Sequence, residues 1–131
     1  MLFQSLTPEI KIDSKLKFSE ITPKFLRIID QFAPFGPGNM RPVFLSENVE
    51  METKPKIVGT NHLVVTLKQN GSEKLFECIG FNMAEYYTEM TKTNCKADIV
   101  YNIDKSARNG MSFPQFRLKD IKFKENNVEL N

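Results

Sequence analysis

At 131 residues and 40% apolar content, the chain has the size and composition of one domain with one modest core. Its formal charge of +2 demands no charged partner, but the charge is uneven: residues 1–53 carry six basic and seven acidic side chains, residues 54–124 twelve and seven. The second stretch is therefore about +5 (twelve less seven), a balance that suits an anionic partner.

The first predicted element is extended. Residues 9–13 alternate polar and apolar, with Ile10 and Ile12 on one face, and Leu16 and Phe18 continue the pattern after a break at Ser14. Thr22-Pro23 then has the chemistry of a helix start, Thr22 as N-cap and Pro23 at the first helical position. Ile21 and Leu26 stand at the staple positions around that cap. Phe25, Leu26, Ile29 and Phe32 form one apolar stripe at helical spacing, and Pro34 ends the helix.

Residues 32–44 hold three prolines and two glycines, which forbid a regular helix or a central strand. Three phenylalanines and a valine give the same stretch apolar surface to bury. It is expected to be a stiff, packed elbow, structural at Phe35, Gly36, Gly38, Asn39, Pro42 and Phe44. Phe35 and Phe44 should be largely buried, and Gly36 or Gly38 should have a positive φ. Gly36-Pro37-Gly38 precedes no helix and lacks the lysine of a nucleotide-binding loop, so it reads as a rigid turn.

After the elbow, residues 48–59 read as a long first strand and Gly59-Thr60-Asn61 as a tight turn. His62 to Lys68 alternates, with Leu63, Val65 and Leu67 on one face, and Asn70-Gly71 signals a hairpin into a strand from Glu73 to Phe81. Asn82 and Glu85 resemble a capping box opening a short helix to about Met90. A fourth strand follows from Lys96 to Ile103, with Ala97, Ile99, Tyr101 and Ile103 in phase. Asp104 to Gly110 is a polar loop, and Phe113 to Phe123 a fifth strand.

One helix between the third and fourth of five antiparallel strands is the assembly of an OB barrel. The predicted fold is mostly β with two helices: a lead-in over residues 1–44, a five-stranded OB-fold barrel over 45–124, and a disordered tail over 125–131.

The chemistry of catalysis is missing. His62 is the single histidine, with no second metal ligand at a useful spacing, and the five aspartates are scattered singly. Cys78 and Cys95 lie inside apolar runs in no metal-ligand spacing and are expected to be buried free thiols. No run approaches the roughly 18 apolar residues of a membrane span, and the N-terminal stretch is too short for a signal peptide, so a cytoplasmic location is expected. Neither enzymatic activity nor a metal or cofactor is expected of this chain.

Binding is the better prospect. Barrels of this type hold oligonucleotides or oligosaccharides on strands two and three and the adjoining loops, and single strands are held by ring stacking and a basic groove. Candidates are His62, Lys68 and Lys74 on the two–three hairpin, with Lys105 and Arg108 in the loop after strand four. Tyr101 and Phe113 flank that loop and either stack bases or pack the core.

Several residues together carry a resemblance. Pro34-Phe35-Gly36-Pro37-Gly38-Asn39 with Pro42 and Phe44 resembles the Pro-Phe-Gly-x-Gly-Asn signature of RecJ, the bacterial 5′→3′ exonuclease specific for single-stranded DNA. Val58-Gly59 with His62-Leu63, Gly80-Phe81, Tyr101-Asn102 with Gly110, and Pro114-Gln115 through Asp120-Ile121 fit in order and spacing. What is resembled is the C-terminal part of that family, an OB domain with its lead-in; the catalytic Asp-His-His part would lie upstream. The resemblance implies a module that holds single-stranded DNA against a nuclease core using Mg²⁺ or Mn²⁺, in repair and recombination. Met40 departs from a frequent proline, and Val64 from a lysine that often follows His-Leu. The second reading is a structural module that clamps the catalytic core or docks a partner protein through the elbow.

Overall fold

The computed structural model describes residues 2–3, 10–36, 40–92 and 96–124. The lead-in comprises β1 (Leu2–Phe3), β2 (Ile10–Lys11), β3 (Ser14–Lys15), a 3-10 turn (Phe18–Glu20) and α1 (Pro23–Asp30). The body comprises β4 (Phe44–Met51), β5 (Lys56–Val58), β6 (His62–Gln69), β7 (Phe76–Gly80), α2 (Tyr86–Lys92), β8 (Ala97–Arg108) and β9 (Met111–Phe123). Seven strands form one sheet in the order β3-β4-β8-β9-β7-β6-β5, against the five expected, and β1 pairs with β2 separately. Because β4 pairs with both β8 and β6, the pairing runs from β4 through β8, β9, β7 and β6 back to β4.

One bulge interrupts β4 inside that circuit. The register of β4 against β8 shifts between Ser46 and Val49, where Asn48 has φ 58° and donates its N–H to the Asp98 carboxylate at 3.1 Å. A bulge bends its strand and re-aims the residues beyond it. Phe44 to Ser46 run beside Tyr101 to Ile99; past the bulge Val49 pairs with Ala97 of β8 as well as Gln69 of β6, and Glu50 and Met51 pair with Lys68 and Leu67 of β6. The expected single strand over 48–59 is thus two, starting earlier at Phe44 and broken at residues 52–55, where Pro55 has no N–H for a ladder.

The interior follows the period-2 pattern. Leu63, Val65 and Leu67 of β6 are buried, as are Ala97, Ile99, Tyr101 and Ile103 of β8. Phe116 stacks on both Phe76 (4.6 Å between centroids) and Tyr101 (4.1 Å). Phe18 of the lead-in meets Phe76 and Phe116 edge-on at 5.0 and 5.5 Å, and its N–H donates to Gln69 Oε1 at 2.7 Å. Val100 on the outer side of β8 is also buried, because Ile12 and Leu45 pack over it.

Both helices are shorter than the sequence predicts. α1 is capped as expected, Thr22 Oγ1 accepting the Phe25 N–H at 3.1 Å, but it ends at Asp30. Phe32 lies beyond the last turn, loses the phase of the stripe, and is 60% exposed. Asn82 does not cap α2: it has φ 59° in a turn and donates its N–H to His62 Nδ1, and α2 begins four residues later. The polar loop expected over 104–110 is mostly strand. β8 runs to Arg108 and turns through Asn109 (φ 51°) and Gly110 (φ 77°), the two-residue hairpin that needs positive φ at both central positions. The expected tail, 125–131, lies outside the described residues.

α2 is tied to β9 by one buried carboxylate. Tyr86 donates its hydroxyl to Asp120 Oδ1 at 2.9 Å, and the Ile121 N–H donates to the same oxygen at 2.8 Å. Burial, then the hydrogen bond to Asp120 and that group's charge, push the Tyr86 phenol from 10.0 up to about 12. A folded-state value above the unfolded one stabilises fully below pH 10.0 and is lost as pH rises towards about 12. Stability measured over that window should therefore fall more steeply with pH in the parent chain than in Tyr86→Phe; equal slopes would contradict the linkage. Phe18→Ala, which empties a fully buried ring site, should cost about 3–5 kcal/mol in denaturant unfolding.

Candidate nucleic-acid interface

Side chains alternate across a strand, so the residues between the buried ones of β6, β7 and β9 form the outer face of the sheet. Val64 pairs with Ile79 and Ile79 with Arg117, a row that crosses all three strands. At its β6–β7 end, His62 Nδ1 accepts the Asn82 N–H at 3.1 Å, and the imidazole meets the Phe81 ring edge-on at 5.2 Å. With Nδ1 accepting, Nε2 is the nitrogen left to donate. Phe81 is 44% exposed, and the Arg117 guanidinium lies 4.9 Å from its ring centre.

Two more arginines stack on rings nearby. Arg108 lies 5.3 Å over Phe113 and pairs with Glu77 Oε1 at 2.6 Å, where Gln115 Nε2 also donates at 2.7 Å. Arg41 lies 4.7 Å over Phe35. Asp104 joins the sets, one oxygen 3.5 Å from Arg41 and the other 3.7 Å from Arg117. Ion pairs this exposed are worth about 0–1 kcal/mol, so the arginines can exchange a carboxylate for a phosphate at small cost.

Of the residues expected to touch nucleic acid, His62, Arg108 and Phe113 belong to this face. Lys68 is on the outer side of β6 but pairs with Glu52 at 3.2 Å. Lys74 reaches back to the lead-in, donating to the Ile21 carbonyl at 2.7 Å. Lys105 projects from the opposite side of the β8–β9 hairpin from Arg108 and pairs with Asp30 of α1. Tyr101 is corrected outright: it is fully buried, packed between Phe44 and Phe116, and exposes no ring on which a base could stack. Its hydroxyl bonds Ser46 Oγ at 2.7 Å, Ser46 also donating to the Leu16 carbonyl at 2.8 Å, and burial pushes its ionisation well above the usual range.

Phe81, Arg117 and Arg41 were missed. The signal was available in the alternation Glu77 and Ile79 on β7 with Phe81 just past its end, and Phe113, Gln115 and Arg117 on β9, which sets these side chains outward.

The elbow is looser than expected. Phe44 is buried, but as the first residue of β4, and Phe35 is only half-buried under Arg41. Pro42 is held where its carbonyl accepts from Asn102 Nδ2 at 2.7 Å. Gly36 has no positive φ, and Gly38 and Asn39 lie outside the described residues. Cys78 is fully buried, its thiol pushed up by burial and by the Glu77 charge, which makes it unreactive; Cys95 lies outside the described residues. Among the described residues no group of three or more His, Cys, Asp or Glu could hold a metal, and no helix is long and apolar enough to cross a membrane.

The sequence matches the model of the RecJ OB domain over residues 12–120. The chain belongs to the RecJ OB-domain family. Its structure is similar to crystal structures of RecJ from Thermus thermophilus in complex with Mg²⁺ (TM-score 0.63) and with Mn²⁺ (TM-score 0.62). Identity is 17% in both cases, so the likeness is one of fold. The alignments cover 88% of this chain but only 17% and 16% of those RecJ chains. No curated protein matches the sequence. In this member of the RecJ OB family, Ser46→Ala should leave the Tyr101 hydroxyl and the Leu16 carbonyl unpaired inside the core. Thermal or denaturant unfolding should register a loss of about 1–3 kcal/mol, and a neutral result would contradict the buried network.

Proposed function

We propose that this OB domain holds single-stranded DNA on the outer face of β6, β7 and β9. It would do so for a RecJ-like 5′→3′ exonuclease acting in repair and recombination in the bacterial cytoplasm. The observation that carries the reading is the row of rings and arginines, with His62 edge-on to Phe81, Arg117 over Phe81, and Arg108 over Phe113 beside them. Rings offer bases a stacking surface worth about 1–3 kcal/mol each, and guanidinium groups take phosphates, a combination that suits a single strand without regard to sequence. The unbroken circuit of pairing through β4, β8, β9, β7 and β6 supports the finer architectural reading, a five-stranded barrel with β3 and β5 as additions. Mg²⁺ or Mn²⁺ would serve a catalytic part outside this domain, and the described residues offer no three-ligand cluster for either.

One observation favours the second reading, a module that clamps a catalytic core or a partner. An apolar cleft of about 450 Å³ lies between α1, the elbow and the β8–β9 hairpin, lined by Leu26, Ile29, Phe35, Ile103 and Pro114. Titration of labelled oligonucleotide across salt concentrations separates the two. Under the DNA reading, Phe81→Ala weakens binding at every salt concentration with an unchanged slope. Arg117→Ala flattens the slope of log K against log salt by about 0.7, one phosphate on a single strand. Absence of binding at low salt by the folded chain would favour the clamp.

A further inference from the structure

Beside the arginine-on-ring face lies a second, shallower feature with different walls. The elbow, β2 and the bulge of β9 enclose a groove of about 500 Å³ whose charged lining is Lys11, Arg41, Lys119 and Asp13. Three cations face one carboxylate, and that carboxylate is already engaged, Asp13 Oδ2 accepting the Val43 N–H at 2.8 Å. Lys119 is the extra residue of the β8–β9 register shift, since Tyr101 pairs with Leu118 and Val100 with Asp120. The bulge therefore leaves Lys119 outside the ladder, and neither it nor Lys11 has a carboxylate partner among the described residues.

Gly36 forms part of the groove wall, and nothing among the described residues requires it to be glycine. Its φ is not positive, and a Cβ built on it meets no described atom within 4 Å. A glycine that neither conformation nor packing requires is suited to a close approach by something outside the chain. Met40, 78% exposed, forms another part of the lining and offers a soft apolar surface to a base or sugar. The groove is continuous with the face already described. Arg41, on its wall, shares Asp104 with Arg117, and Asn102, also on its wall, is the pairing partner of Arg117.

We propose that a single strand of DNA lying on the β6–β7–β9 face continues past Arg117 into this groove, where Lys11, Arg41 and Lys119 take its phosphates and Gly36 lets the backbone pass. The proposal rests on the DNA-binding reading of the face and extends the site to the lead-in, which thereby becomes part of the binding surface.

Two oligonucleotides test it, one of about 4 and one of about 16 nucleotides, the span of site sizes seen for single OB folds. Binding of each to the full chain is followed by fluorescence anisotropy at several salt concentrations. Lys11 and Lys119 are exposed, and their joint replacement by alanine should leave the melting temperature unchanged. The double variant should flatten the salt slope for the long oligonucleotide by about 1.4, two phosphates at about 0.7 each, and leave the short one unaffected. Gly36→Val should likewise melt as the parent does and bind the long oligonucleotide more weakly. If the lysine pair changes neither oligonucleotide while Phe81→Ala weakens both, the groove is overturned and the face stands. If the pair weakens short and long alike, the strand does not continue from one region to the other and the proposal fails. If the parent chain binds neither, the face and the groove fall together.

Discussion

The hydrogen bond from the Asn48 N–H to the Asp98 carboxylate holds the bend on which the architecture depends. The left-handed residue at Asn48 lies where the register of β4 against β8 shifts, and Val49 just beyond it pairs with Ala97 of β8 and Gln69 of β6 at once. β4 thereby links β8 to β6. Lys124 reinforces the site, its ammonium 3.2 Å from Asp98 Oδ1 and 2.6 Å from Asn48 Oδ1. A side chain just past the end of β9 thus holds the bend in β4.

The second constraint is that the lead-in is built into the core. Phe18 fills the space above Phe76 and Phe116, Gln69 joins the Phe18 N–H to the Glu47 carbonyl, and Ser46 joins Tyr101 to Leu16. These contacts cross from residues 16–18 to all parts of the body, so lead-in and body share one buried cluster. Asn102 then fixes the elbow carbonyl of Pro42 to the strand beside Arg117. The elbow groove and the sheet face hold a set relation to each other because the same β8–β9 ladder carries both.

Much of this was legible in the chain. The capped helix at Thr22-Pro23, the alternation of β6 and the inward phase of β8 follow from local rules that tertiary packing did not override. The errors have physical causes. Phe32 fits the helical stripe, but α1 ends two residues before it, and an apolar residue in a turn follows no period. Asn82 has the sequence of a cap but is drawn into a turn by His62. Asn109-Gly110 was absorbed into a supposed loop although it is the same dipeptide that marks Asn70-Gly71, because the polar residues 104–108 do not look like a strand until both faces of the hairpin are known to be wet. For the site, Tyr101 was misplaced because its place beside a supposed loop was set above its phase with Ile99 and Ile103, which marks it as core. Arg41 could not be read at all, since its stack on Phe35 depends on how the elbow folds.

The central claim is that a single strand of DNA lies across the β6–β7–β9 face and enters the elbow groove. The most direct measurement is backbone amide chemical-shift mapping of the isotopically labelled chain as a single-stranded oligonucleotide of about 16 nucleotides is added. Shifts concentrated at Phe81, Gln115, Arg117, Arg41, Gly36 and Lys119, with Lys74 and the buried strand positions of Tyr101 and Ile99 unmoved, are the predicted result. Shifts confined to α1 and the Lys105 side of the hairpin, or no shifts at all, would contradict it.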